Sequence, residues 1–153
     1  MAGYSGDYTV TMDENGRLAI PVRLRSARPL GFPAKKKIGK YVLAKWVDGC
    51  LALFVAEEWA RRLTALVAEG SYTREQRVFH RHLGPNSSEV VPDSQGRITI
   101  PKNLQETAKL SGEVKVIGAT LHIEICNPVL YDKFLSDNMS FEASADKLFE
   151  KSG

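Results

Sequence analysis

The sequence predicts an α+β fold in which two diverged copies of one strand-and-helix module interlock into a barrel-like, pseudo-two-fold unit with flanking helices. The first observation is a repeated motif: residues 13–21 read DENGRLAIP and residues 93–101 read DSQGRITIP, an alignment without gaps. The second is that the same order of predicted strands and helices follows each motif. The third is size, because one copy alone is too small to close a hydrophobic core. We therefore expect a first module over residues 1–84 and a second over residues 85–153, the second carrying the C-terminal helices.

Each motif predicts a strand, a tight turn and a second strand. Asp13 and Asp93 suit the turn because their carboxylates accept hydrogen bonds from backbone amides two residues on, and the glycine of each motif adopts positive φ without steric cost. Alternation in the second strand places aliphatic residues on one face and the arginine on the other. The two faces are Leu18 with Ile20 and Arg17 with Ala19 in the first copy, and Ile98 with Ile100 and Arg97 with Thr99 in the second.

The same predicted elements surround each motif: a strand before it, a helix opened by its proline, and two apolar strands joined by a turn. In the first copy these are residues 8–12, 22–28, 41–46 and 51–55, with a turn at Asp48-Gly49; in the second they are 89–92, 102–110, 114–118 and 121–126, with a turn at Ala119-Thr120. The offset between the copies falls from 80 at the motif to 72 at the last strand, so the first copy carries eight extra residues, between Arg28 and Lys40. Prolines and glycines in this insertion predict an irregular basic loop.

The composition is that of a globular protein, with 43% hydrophobic and 25% charged residues and no apolar run long enough for a membrane span. Residues 1–15 are polar and acidic, unlike a signal peptide. Cys50 and Cys126 lie far apart and show neither a CxxC nor a zinc spacing. We therefore expect two small buried side chains in a reducing cytosol rather than a disulfide.

The net charge of +3 is unevenly distributed along the chain. Eight basic and three acidic residues lie within the first 40 positions, whereas five acidic and three basic residues follow Asn127. This asymmetry indicates one face for a polyanion and another for contacts between subunits. A solvated surface with unevenly placed charges explains it equally well.

Two interpretations compete for Arg17 and Arg97. Each arginine can form a local ion pair with the aspartate of its own turn, Asp13 or Asp93, but an exposed pair contributes only about 0–1 kcal/mol. Alternatively, the planar guanidinium can bridge phosphate oxygens or the O6 and N7 atoms of guanine. The residues alone leave both interpretations open.

Other polar residues give weaker signals. The run Lys35-Lys36-Lys37 can contact DNA phosphates, although a solvated loop is the simpler interpretation of a short lysine run. His80, His82 and His122 show no ligand spacing with any cysteine or carboxylate, so we expect no metal site and no catalytic histidine. Nucleotide-binding, metalloprotease and hydrolase motifs are absent from the sequence, so we expect neither an enzyme nor a cofactor.

The paired sequences DENGR and DSQGR, followed by LAIP and ITIP, closely resemble the MraZ family, as does the segment DGCLALFVAEEW. The resemblance covers nearly the whole chain in the expected order. It implies membership of the AbrB/SpoVT-type swapped-hairpin DNA binders. It also implies a cytoplasmic, nucleoid-associated regulator that binds short repeated promoter boxes upstream of the division and cell-wall gene cluster, its own gene included. Ring-shaped homo-oligomers are implied as well, with two modules from each subunit.

By position in the motif, the resemblance places the signature arginine of the MraZ family at Arg17 and Arg97. It places turn residues at Asn15 and Gln95, whose amides can also reach a base edge.

Basic residues that hold the DNA backbone are expected at Arg23 and Arg25. The second copy departs from this pattern, because Asn103 and Gln105 replace the two arginines. We therefore expect the first module to contact phosphates more strongly.

Two other functions remain as alternatives. One is an oligomeric scaffold that uses the acidic C-terminal helices as a partner surface and does not bind DNA. The other is an antitoxin of the same fold, although such proteins carry a single copy of the module.

Overall fold

The computed structural model describes residues 3–33, 35–68 and 72–150, and within these ranges the fold is α+β. The strands are β1 (Asp7–Thr11), β2 (Arg17–Ala19), β3 (Tyr41–Lys45), β4 (Leu51–Val55), β5 (Ser87–Val90), β6 (Arg97–Thr99), β7 (Glu113–Gly118) and β8 (Ile123–Cys126). The helices are α1 (Val22–Arg25), α2 (Ala56–Ala68), α3 (Arg74–Leu83), α4 (Lys102–Thr107), α5 (Pro128–Asp137) and α6 (Phe141–Phe149). In the described ranges no helix combines the length and the apolar character that crossing a lipid bilayer requires.

Six strands form one antiparallel sheet in the order β1-β7-β8-β4-β3-β5, which is palindromic with respect to the repeat. The first strand of each copy pairs with the hairpin of the other: β1 with β7, and β5 with β3. The sheet is open, with β1 and β5 at opposite edges. The described residues therefore form no closed barrel, and the barrel-like closure expected from the sequence is not found. A two-stranded ribbon and two short helices cover the inner face of the sheet instead.

Most of the hydrogen-bonded strand pairs join one predicted module to the other. Among the described residues, four of the six strand pairings join a strand before residue 84 to one after it. The boundary at residue 84 remains a prediction, but it does not separate two independent sheets.

The two-stranded ribbon consists of β2 and β6, paired antiparallel with Leu18 opposite Ile98. Both side chains are 1% exposed and belong to the main core between the ribbon and the six-stranded sheet. The chain crosses over directly after each strand. The Ile20 amide donates to the Gly96 carbonyl at 2.9 Å, and the Ile100 amide donates to the Gly16 carbonyl at 2.8 Å. The predicted aliphatic faces of both motifs are thus confirmed.

Helices α1 and α4 follow the ribbon strands and close the core with one leucine each, Leu24 and Leu104. Both helices are shorter than predicted. After α1 the chain reaches Pro29, which disfavours helical backbone at the residue before it. After α4 the backbone turns at Lys109, whose φ is 53°.

The outer face of the sheet carries a cluster of aromatic side chains and both cysteines. Trp46 and Trp59 pack against Phe54, each with its ring centroid 5.1 Å from that of Phe54. Cys50 and Cys126 form a disulfide, so the prediction of two unpaired cysteines is wrong. The β4–β8 register explains the pairing, because it brings residues 76 apart in sequence to a Cα–Cα distance of 4.7 Å. Sequence spacing alone does not reveal such a neighbour.

Replacement of Leu18 by Ala is expected to lower the free energy of unfolding by about 2–5 kcal/mol, since it leaves a cavity beneath the ribbon. Val22→Ala is the matched control: the same kind of truncation at a side chain 63% exposed should change it by less than about 0.5 kcal/mol. Urea unfolding measures both values. Similar losses in the two variants would contradict the assignment of Leu18 to the core.

Candidate nucleic-acid interface

The first turn is organised around the carboxylate of Asp13. Its Oδ1 accepts hydrogen bonds from the backbone amides of Asn15 and Arg17, both at 2.9 Å. Its Oδ2 accepts a bond of 3.0 Å from Nε of Arg17. Gly16 has a φ of 79°, which permits the tight reversal that brings these groups together. One aspartate therefore fixes both the turn and the direction of the arginine.

The second turn has the same geometry. Oδ1 of Asp93 accepts from the amides of Gln95 and Arg97 at 2.9 Å, and its Oδ2 accepts from Nε of Arg97 at 3.0 Å. Gly96 has a φ of 76°. The repeated sequence motif is therefore a repeated three-dimensional structure.

Both turn aspartates are held in the ionised form. The backbone N–H of Arg17 is the main cause that lowers the pKa of Asp13, with help from the amide of Asn15 and from the Arg17 guanidinium. The backbone N–H of Arg97 lowers the pKa of Asp93 in the same way. Each arginine therefore faces a full negative charge on one side.

The ribbon presents both arginines on one face. The register pairs Arg17 with Thr99 and Ala19 with Arg97, so all four side chains point away from the core. Arg17 and Arg97 are diagonal neighbours, with Cα atoms roughly 7–8 Å apart. Their side chains are 41% and 36% exposed. Each ion pair uses only Nε, so within the described residues two terminal nitrogens of each guanidinium remain for a polyanion.

Arg25 and its counterpart Gln105 have structural roles. Nε of Arg25 donates to the Ile20 carbonyl at 2.8 Å, and Nε2 of Gln105 donates to the Ile100 carbonyl at 2.7 Å. Each side chain also lies over the turn glycine of the other copy. A Cβ atom at Gly96 would clash with the Arg25 guanidinium, and one at Gly16 would clash with the Gln105 amide. These two residues therefore hold the two copies together.

The other predicted site residues lie at the surface around the ribbon. Asn15 and Gln95 are exposed at the tips of the two turns, and Arg23 is exposed on α1. Asn103, the counterpart of Arg23, donates from Nδ2 to the Pro85 carbonyl at 3.2 Å. The second copy therefore presents a neutral side chain, bonded to the Pro85 carbonyl, where the first presents a cation.

The basic insertion is partly committed to contacts within the chain. Lys36 forms an ion pair with Glu57 and lies over the Phe32 ring, with Nζ 5.8 Å from the ring centroid. These contacts favour a structural role for this lysine.

Sequence reasoning missed one cluster of polar side chains. Nε2 of His122 lies 3.2 Å from Oε2 of Glu124, and Glu124 in turn lies beside Cys126. The signal was the alternation His-x-Glu-x-Cys, because residues two apart on a strand share a face.

Comparisons with known proteins cover nearly the whole chain. The family described as "MraZ protein, putative antitoxin-like" matches residues 4–82 and again residues 85–152. A protein of Cytophaga hutchinsonii named transcriptional regulator MraZ is 33% identical over 148 residues, which cover 96% of this chain and 95% of the relative. Proteins of the same name from Alkaliphilus oremlandii and Acetivibrio thermocellus are also 33% identical, over 149 and 146 residues. They cover 96% and 95% of this chain, and the aligned parts make up 97% and 96% of the relatives.

Asp13→Asn is expected to destabilise the protein most at neutral pH. The folded-state pKa of Asp13 is lower than its unfolded value, about 3.9. Its ionised form therefore stabilises the fold above that value, and this contribution is lost as the pH falls through the folded-state pKa. Urea unfolding at a series of pH values should show the difference between wild type and variant shrinking as the pH falls.

Glu14→Gln is the matched control, since it removes a negative charge one residue away and leaves the Asp13 bonds in place. A gap between wild type and Asp13→Asn that stays constant with pH, or that Glu14→Gln reproduces, would argue against this role for the Asp13 carboxylate.

Proposed function

Because the chain belongs to the MraZ family, we propose that it is a transcriptional regulator, rather than an enzyme, that binds double-stranded promoter DNA through the β2–β6 ribbon. The observation that carries the proposal is the placement of Arg17 and Arg97 side by side on the exposed face of that ribbon. The name shared by the relatives supports a role in transcription.

A two-stranded ribbon has the right dimensions for the proposed contact. The major groove of B-form DNA is about 12 Å wide and admits a two-stranded β-ribbon. Leu18 and Ile98 anchor the inner face of this ribbon in the core, so its outer face can approach a duplex without unfolding. We infer that the two repeats form a pseudo-two-fold swapped-hairpin unit of the AbrB/SpoVT type, an inference supported by the exchange of β1 and β5 between the hairpins.

The aspartate ion pairs reconcile the two interpretations of Arg17 and Arg97. A flexible arginine loses rotamer entropy when it binds, and the bond from Nε to the aspartate restricts the side chain beforehand. The terminal N–H groups can then form paired bonds with guanine or with phosphate oxygens. On this proposal the ion pair prepares the arginine for DNA.

The residues around the two arginines contribute to the DNA contact in different ways. Asn15 and Gln95 extend the contact at the two turn tips through their side-chain amides. Arg23 contacts a phosphate, whereas Arg25 acts mainly by holding Ile20 and the Gly96 turn in place. The first module then binds the DNA backbone more strongly than the second.

We propose that the target is an array of short direct repeats in the promoter of the division and cell-wall gene cluster, including the chain's own gene. Neighbouring modules on one face of the duplex would contact boxes about one helical turn apart. We place this activity at the nucleoid, in the cytoplasm.

We also propose self-assembly into a ring through the C-terminal helices. Many large apolar side chains of α5 and α6 are exposed, more than a monomeric surface usually carries in one region. They include Val129 (74%), Leu135 (55%), Phe141 (81%) and Leu148 (73%). The same surface supports the second candidate function, an oligomeric scaffold without DNA binding.

Arg17→Ala is expected to weaken binding to the chain's own upstream DNA by about 1–3 kcal/mol and to reduce the preference over scrambled DNA. Arg23→Ala is the control, because the phosphate contact proposed for this arginine affects all sequences alike. Titrations of labelled DNA at several salt concentrations separate the two effects, because each lost phosphate contact lowers the salt slope by about one.

An equal loss of affinity for target and scrambled DNA would indicate that Arg17 contacts the DNA backbone. The scaffold function would be favoured if the wild-type protein formed a stable oligomer but showed no preference for its own upstream region.

Phe141→Ser combined with Leu148→Ser is expected to reduce the assembly to a smaller species, since both side chains are more than 70% exposed in the single chain. Light scattering after size-exclusion chromatography measures the mass. Val22→Ser, on the exposed start of α1, is the control for a general effect of lost apolar surface. An unchanged mass in the double variant would exclude these two side chains from the interface.

A further inference from the structure

Three potential metal ligands meet on the outer face of the sheet, away from the ribbon. The sulfurs of Cys50 and Cys126 and a carboxylate oxygen of Glu124 all lie within 4.8 Å of one another. Two features of the sheet bring them together. Glu124 and Cys126 share a face of β8 because they are two residues apart, and the β4–β8 register places Cys50 beside Cys126.

The surroundings of this cluster suit a cation that prefers sulfur ligands. Cys50 is 7% exposed and Cys126 1%, and Ile117 and Tyr131 pack against them. The Glu124 side chain is 21% exposed, so the site keeps one access to solvent. Two thiolates and a carboxylate are ligands that Zn²⁺ takes, at about 2.3 Å to sulfur and about 2.0–2.2 Å to oxygen.

We propose that the reduced protein binds one thiophilic divalent cation, such as Zn²⁺, through Cys50, Cys126 and Glu124, and that the Cys50–Cys126 disulfide abolishes this site. The inference is independent of DNA binding. It revises the expectation, drawn from sequence spacing, that the chain has no metal site.

The chemistry of the exchange balances with a thiol reductant. Two thiol molecules, or one dithiol, transfer two electrons to the disulfide by thiol–disulfide exchange. The reductant becomes a disulfide, and Cys50 and Cys126 become thiols. Zn²⁺ then displaces the two thiol protons to solvent and takes the Glu124 carboxylate as its third protein ligand, with water in the fourth position.

His122 is a positioning residue for this site rather than a ligand. Its Nε2 lies 3.2 Å from Oε2 of Glu124, and its side chain is 12% exposed. Four strand positions separate it from Cys126, roughly 13 Å at about 3.3 Å per residue, which is too far to share one ion. A hydrogen bond from the ring can orient the Glu124 carboxylate, as outer partners of metal ligands do.

The cluster also lies at the junction between the repeats. Cys50 precedes a strand of the first hairpin and Cys126 ends a strand of the second, and these two hairpins meet through β4 and β8. The disulfide would therefore join the two copies covalently at the centre of the sheet. A bound metal would join them at the same place by coordination.

The first experiment uses the full chain, reduced with a dithiol, freed of reductant and titrated with Cd²⁺. The thiolate-to-cadmium charge-transfer absorption should rise to one equivalent and then stop. Because Cys50 and Cys126 are the only cysteines, this absorption reports on one site. Competition against a chromophoric chelator gives the Zn²⁺ affinity. Protein oxidised beforehand should show neither signal.

Variants test each proposed part. Cys126→Ser should abolish the one-equivalent absorption, and Glu124→Gln should weaken Zn²⁺ binding while both thiolates still coordinate Cd²⁺. His122→Asn should weaken Zn²⁺ binding by about tenfold with unchanged stoichiometry. Glu113→Gln, a carboxylate exposed on β7, is the matched control and should leave the affinity unchanged.

Two outcomes would overturn the proposal. One is reduced protein that takes up neither ion although a chromogenic disulfide reagent detects two free thiols. The other is equal binding by oxidised and reduced protein, which would place the ion elsewhere. Circular dichroism of each variant separates loss of the site from loss of the fold.

Discussion

The pairing of β2 with β6 is the contact on which the positions of the other candidate site residues depend. It buries Leu18 against Ile98, and it leads directly into the crossed bonds from Ile20 to Gly96 and from Ile100 to Gly16. In each copy, the residue that follows the ribbon strand thus forms a hydrogen bond with the turn glycine of the other copy. The two arginines therefore keep a fixed spacing without a contact of their own, because the backbone of the ribbon sets it.

The fixed ribbon also restricts which residues the two turns can accept. Gly16 and Gly96 need positive φ, and each has a side chain of the other copy directly above it. Arg25 and Gln105 differ in charge but make the same bond to a carbonyl, so the copies could diverge in charge while their geometry stayed the same. Around the ribbon, the two modules therefore differ mainly in the charge that they display, as Arg23 against Asn103 also illustrates.

The sequence predicted the local structure well, because local structure depends on neighbours along the chain. The turns and the faces of Leu18 and Ile98 follow from spacing alone, and all are confirmed. The long-range register decides which strands pair across the copies, and it brings Cys50 to Cys126. No local sequence pattern is sensitive to this register. The strand β8 was predicted, whereas the alternation on its outward side that ends in Cys126 was not recognised, because it carries mixed residue types.

The exchange of first strands between the hairpins has a consequence for synthesis on the ribosome. The bond from Lys115 to Asp7 spans 108 residues, so β1 emerges long before the strand it pairs with exists. Pairings this distant in sequence close slowly, and an emerging chain with unpaired strand edges is prone to aggregate. The nascent N-terminal half is therefore expected to depend on chaperones until the last hairpin leaves the exit tunnel.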